Sequence, residues 1–160
     1  MITPEPVQRV RGYVQAFEAQ LEPILFSEQM KTTEEAAAVL GVETGQIAKT
    51  LLFRTSQGYG LFVAAGDMRI RNAQVREQLG GGNVKMATPQ EVEEITGFQV
   101  GAVCPFALRQ AVPIFIDESL SRFDRVYTAA GIAESLLPLS FAQLVGITGG
   151  KVIELANVSS

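Results

Sequence analysis

At three candidate helix starts the chain sets a serine or threonine three residues ahead of a glutamate or glutamine. The instances are Thr32-Thr-Glu-Glu35 before "AAAVL", Thr88-Pro-Gln-Glu91, and Ser140-Phe-Ala-Gln143. In this capping-box spacing the hydroxyl and the longer side chain satisfy free backbone N–H groups at a helix start, and Pro89 suits the first helical position. Gly41 then reads as a helix stop. Two further helices are expected, one over about 6–21, where Val7, Val10, Val14, Phe17 and Leu21 form an apolar stripe before Pro23, and one over "NAQVREQLGGG" with Asn72 as N-cap.

Strand signals lie between these starts. "PILFSE", "TLLFR", "YGLFVAA", "NVKMA", "VPIFID", "RVYTAA" and "KVIELANV" are enriched in β-formers, and Ser56-Gln57-Gly58 reads as a hairpin turn. Strands interleaved with helices define an α/β class, expected as one domain over residues 1–160. No repeat, linker or low-complexity segment divides the chain. At 160 residues and 47% hydrophobic, it can bury a large core without disulfides or metals.

Composition removes several chemistries. With no histidine there is no Ser-His or Cys-His pair and no His-ligated zinc site. The net charge of -4 argues against gripping nucleic acid through a broad cationic face, although a small local contact remains open. No apolar run approaches membrane-spanning length, the N-terminus has no secretory h-region, and Cys104 has no partner for an internal disulfide. A cytoplasmic protein without cofactor or metal is the expectation.

One lysine, Lys49, interrupts the apolar run "QIAKTLLF". Two readings of it stay open: methylenes lying along apolar surface with the ammonium reaching water, or a compact charge at a cleft edge, suited to a phosphate. The segment "GFQVGAVCP", with two glycines and a proline between a helix and a strand, can turn its amides toward a ligand or be an ordinary turn. Asp117 and Glu118 read as helix-capping carboxylates.

Taken in order, "TTEEAAAVLGV", "QIAKTLLF", "GFQVGAVCPF", "VPIFIDESL", "VYTAAG" and "LVGITGGKV" resemble the YbaK family, the prolyl-tRNA synthetase-associated editing domain, over about residues 32–152. The resemblance implies a mixed, partly barrel-like sheet flanked by helices. It also implies a trans-acting deacylase that hydrolyses the ester of mischarged tRNA, on Cys- or Ala-tRNA(Pro)-like substrates. Lys49 corresponds to the family's hallmark lysine. Gly101, Ala102, Val103, Cys104 and Pro105 form its GxxxP loop, with Phe106 beside it, and Ala129, Ala130 and Gly131 form a third wall. Gly101, Ala102 and Val103 would supply catalytic amides, and Cys104, Pro105, Phe106 and the third wall would bind substrate.

Arg69, Arg71 and Arg76 are candidates for tRNA-backbone contact, with a solvated face as the alternative. Partners implied are a tRNA acceptor end and an aminoacyl-tRNA synthetase, with a homodimer left open. The rival function is a non-catalytic module that binds aminoacyl-tRNA, a nucleotide or a metabolite in the same pocket.

Overall fold

A computed structural model describes residues 3–158. In chain order the helices are α1 (Glu5–Gln15), α2 (Thr33–Leu40), α3 (Asn72–Leu79), α4 (Pro89–Thr96) and α5 (Phe141–Thr148). The strands are β1 (Ile24–Leu25), β2 (Ala48–Thr55), β3 (Gly58–Ala65), β4 (Met68–Ile70), β5 (Lys85–Met86), β6 (Ile114–Asp117), β7 (Val126–Ala129), β8 (Ser135–Leu139), β9 (Lys151–Ile153) and β10 (Ala156–Val158). This is the mixed α/β class read from the sequence. The sheets are five-, three- and two-stranded, ordered β5-β2-β3-β6-β9, β1-β8-β7 and β10-β4, and none closes into a barrel.

The capping boxes form where the spacing places them, with Thr32, Thr88 and Ser140 each accepting the N–H of Glu35, Glu91 and Gln143. Gly41 stops α2 in the left-handed region. α1 is shorter than its apolar stripe suggests. It buries Val7, Val10 and Val14 and ends at Gln15, leaving Phe17 53% exposed while Leu21 returns to the core through a turn. The N-cap of α3 is Arg71, without a side-chain cap, so Asn72 is the first helical residue rather than the cap. "PILFSE" supplies only the two residues of β1, and "KVIELANV" breaks into β9 and β10. The break has a cause: buried Asp117 accepts the amides of Leu155 at 2.6 Å and Ala156 at 3.0 Å, which turns the chain there.

β2 and β3 are the spine, paired antiparallel from Ala48↔Ala65 to Thr55↔Gly58. Side chains alternate across a strand, and the register assigns the faces. Thr50 lies opposite Val63, whose face packs with Phe98, Cys104 and Phe106. Lys49 lies opposite Ala64, whose face packs with Phe62, Ile70 and Leu155. The other edge of β2 is covered only at its ends: Ile47 bridges Tyr127 of β7, and Phe53 and Arg54 pair with β5. Between those ends no strand ladder covers β2. That opening positions the site.

Candidate functional site

A cleft of about 220 Å³ follows the open edge of β2. Ile47 to Leu51 form its floor, the first turn of α2 one wall, Val100, Gly101 and Val103 a second, and Ala129, Ser135 and Leu136 a third. Segments far apart in sequence meet because α2 runs into β2, β7 bridges its N-terminal end, and the loop after α4 crosses its outer side.

Lys49 is half-buried, and its Nζ donates to the carbonyl oxygen of Met68. An ammonium carries three donors, so this contact leaves others free. Burial pulls its pKa below the usual lysine value, partly offset by Glu34 and Asp67 and reinforced by Arg69. Asp67 itself is engaged by Arg122, whose guanidinium donates to both carboxylate oxygens at 3.1 and 2.7 Å. Among the described residues no carboxylate forms a salt bridge with Lys49. The cleft therefore keeps an un-neutralised cation at its edge.

The facing loop begins at the α4 stop. Gly101 has φ 91°, a left-handed conformation in which glycine alone is unstrained, so the turn can place its main chain against the cleft. Val100 projects 65% exposed at the lip. Beyond Val103 the loop enters the core: Cys104, Pro105 and Phe106 are buried and do not line the cleft. Ala107, at φ 53°, turns the chain out again. The Cys104 thiol is pushed up to about 12 by burial, so it stays protonated at neutral pH.

The third wall divides likewise. Ala129 lines the cleft and Ala130 is fully buried. Gly131 and Ala102 face a neighbouring cavity of about 550 Å³, which shares Lys31 and Val100 with the cleft. Gly131, at φ 108°, packs so close to Pro6 that a Cβ would lie 2.8 Å from that residue's backbone. Of the sequence candidates, then, Lys49, Gly101, Val103 and Ala129 share one cavity. Arg69 and Arg71 share a different one, about 390 Å³, with Asn72 and Asn157, whereas Arg76 Nε donates to the Gly82 carbonyl at 3.1 Å.

Sequence reasoning passed over Thr50 and Ser135. The Ser135 Oγ accepts the amides of Ala130 at 3.2 Å and Ile132 at 3.4 Å and donates to the Ile132 carbonyl at 2.8 Å. It thereby fixes the turn after Ala129. A serine four residues beyond "AAG" was the available signal, and only the fold shows that it folds back.

The cleft thus brings the cationic side chains of Lys49 and Lys31 to a bend of main chain on a mixed α/β scaffold, a small site open to a charged ligand. Residues 27–147 match the model of the aminoacyl-tRNA editing domain, and the chain belongs to that family, whose members are hydrolases of mischarged aminoacyl-tRNA. It is 35% identical over 150 residues to the uncharacterized protein YwhH of Bacillus subtilis (strain 168), covering 91% of this chain and 93% of that one. It is 29% identical over 106 residues to a proline--tRNA ligase of Bacillus pumilus (strain SAFR-032), covering 66% of this chain but 19% of the ligase. The fold superimposes with a TM-score of 0.91, at 30% identity, on a crystal structure of a candidate trans-editing enzyme for prolyl tRNA synthetase, covering 98% of this chain and 99% of that one.

Proposed function

We propose that this chain acts in trans on tRNA(Pro) carrying a small wrong amino acid, alanine or cysteine, and that Lys49 and the main chain of Gly101 and Val103 perform the hydrolysis; the Ala102 amide is already donated to the Gln99 carbonyl at 2.9 Å and takes no part. The observation that carries this is the shared cleft: the Lys49 ammonium and that loop line one cavity of about 220 Å³. Sites for drug-sized ligands usually run to about 300–1,000 Å³, so this one suits a small aminoacyl group with the adenosine at its mouth. Resemblance to proline--tRNA ligases and to the trans-editing structure supports tRNA(Pro).

In this reading Lys49 holds a phosphate near the 3′ end, with more force than in bulk water because the ammonium is partly desolvated. Main-chain N–H groups of the loop meet the ester carbonyl. Water adds to the carbonyl carbon, the charge on its oxygen is held by those amides, and the bond to the ribose oxygen breaks. The ribose hydroxyl recovers a proton from the attacking water, releasing free amino acid and intact tRNA. The ester is already activated, so positioning and oxyanion stabilisation suffice without a side-chain base. Cys104 takes no part, since its thiol is enclosed in the core. Arg69 and Arg71 lie where an acceptor-stem phosphate could bind, and the local character of that patch fits the negative net charge.

The test is single-turnover hydrolysis of Ala-, Cys- and Pro-tRNA(Pro) against buffer. Turnover of the first two, sparing Pro-tRNA(Pro) and lost in Lys49→Ala, is expected. Binding of a non-hydrolysable aminoacyl-adenosine without turnover of any ester would instead mark a binding module.

A further inference from the structure

The cleft holds one polar group that the reading above leaves unused. Thr50 is only 9% exposed, lines the cleft, and its Oγ1 is buried with no hydrogen-bond partner among the described residues. An unsatisfied buried hydroxyl costs about 1–3 kcal/mol, and valine has nearly the same shape without it. A strand that needed only packing here would do better with valine.

Position gives the hydroxyl a use. Thr50 lies on the face of β2 that packs toward Val103 and Cys104, opposite the face of Lys49. Its main chain points the same way as that of Leu52, whose carbonyl accepts the Ala87 amide on the outer edge of β2, since backbone direction repeats every second residue. Unlike Leu52, Thr50 lies where no strand ladder covers that edge. The residue thus brings a hydroxyl and an open strand edge to the loop side of the cleft.

We infer that Thr50 is a further hydrogen-bonding residue for the reaction, its hydroxyl donating to the ester carbonyl oxygen alongside the main-chain amides of Gly101 and Val103. The cleft then has two polar sides across one strand: Lys49 anchors the nucleic acid, and Thr50 joins the group that receives the developing negative charge. This rests on the deacylase reading. Removal of one oxyanion donor typically lowers turnover by about a hundred- to a thousandfold.

The experiment compares wild type, Thr50→Val, Thr50→Ser and Lys49→Ala in single-turnover hydrolysis of Ala- and Cys-tRNA(Pro), with thermal unfolding of each. Thr50→Val should unfold at the same or a higher temperature yet lose about a hundredfold in the rate constant at saturating enzyme, with little change in half-saturation. Thr50→Ser should recover most of that loss. Should Thr50→Val fail to fold, Thr50→Ala replaces it with the same expected loss. An active wild type accompanied by a fully active Val or Ala variant, or a Ser variant no better than Val, overturns the role of Thr50 and leaves the deacylase reading intact. A wild type without turnover overturns both.

Discussion

The guanidinium of Arg9 sits 4.4 Å above the ring centroid of Phe98, on the first residue after the glycine that stops α4. The same side chain donates to the Thr96 carbonyl at 3.0 Å and packs against Gly97. One turn earlier on α1, Pro6 presses on Gly131. A helix outside the family match at 27–147 thus touches the bases of two cleft walls. Replacing Arg9 by methionine keeps length but removes the cation. It should cost about 1–3 kcal/mol in urea unfolding and speed amide exchange at Phe98 and Ala102, while leaving the β2–β3 amides protected.

Lys49 should set an alkaline limit on activity. Its pKa is lowered by burial, so the ammonium that binds phosphate is lost as pH rises through a value below the ordinary 10.5. After subtraction of spontaneous hydrolysis, kcat/KM should be flat around neutrality and fall before that point; an acidic limb from loss of a lysine base would contradict anchoring. The sign for stability is opposite. A lysine with a depressed folded pKa opposes folding while charged, and this cost fades as pH rises through the folded pKa toward the unfolded one. Lys49→Met should therefore lower kcat/KM about a hundredfold or more, the scale of a charged contact worth about 3 kcal/mol, without lowering stability at neutral pH.

Cys104 illustrates how far the sequence could be read. "GAVCP" placed a loop opposite Lys49, and the chain does turn there, but which side of the loop meets the cleft depends on α4 and β6 packing around it. The thiol proved to face Phe98 and Phe106 in the core. Native protein should resist thiol-alkylating reagents at pH 8 and react fully once unfolded. Cys104→Ala should retain deacylation and lose on the order of 1 kcal/mol of stability.

Local signals carried the helix starts and the β2–β3 hairpin because a capping box or a Gly-bearing turn is satisfied within a few residues. Signals that depend on a distant partner were silent. β8 escaped the strand reading because Pro138 punctuates "SLLPL", a proline tolerated beside Tyr127. β4 is three residues long and exists through pairing with β10. Thr50 reads as an ordinary strand threonine until the register shows its hydroxyl enclosed without a partner, and Arg9 as a surface helix residue until Phe98 lies beneath it.

Asp117 is the plainest case of a local reading completed by long-range structure. As a cap it accepts the Ser119 amide at 3.2 Å, at the start of the short 3-10 helix Glu118–Arg122. Its other oxygen takes the amides of Leu155 and Ala156, and so joins the end of β6 to the bend between β9 and β10. Arg69, opposite Asn157, depends on that bend, because β4 pairs with β10. Asp117→Ala leaves three buried donors without an acceptor, each worth about 1–3 kcal/mol. It should destabilise by about 3 kcal/mol or more in chemical unfolding. Asp117→Asn keeps one acceptor oxygen for the Leu155 and Ala156 amides and should cost less than alanine. In either variant the β4–β10 pair should lose amide protection first. Activity should then fall on tRNA and on a short aminoacylated 3′-end fragment alike, because β4 carries both the arginine patch and the Met68 carbonyl that holds the Lys49 ammonium.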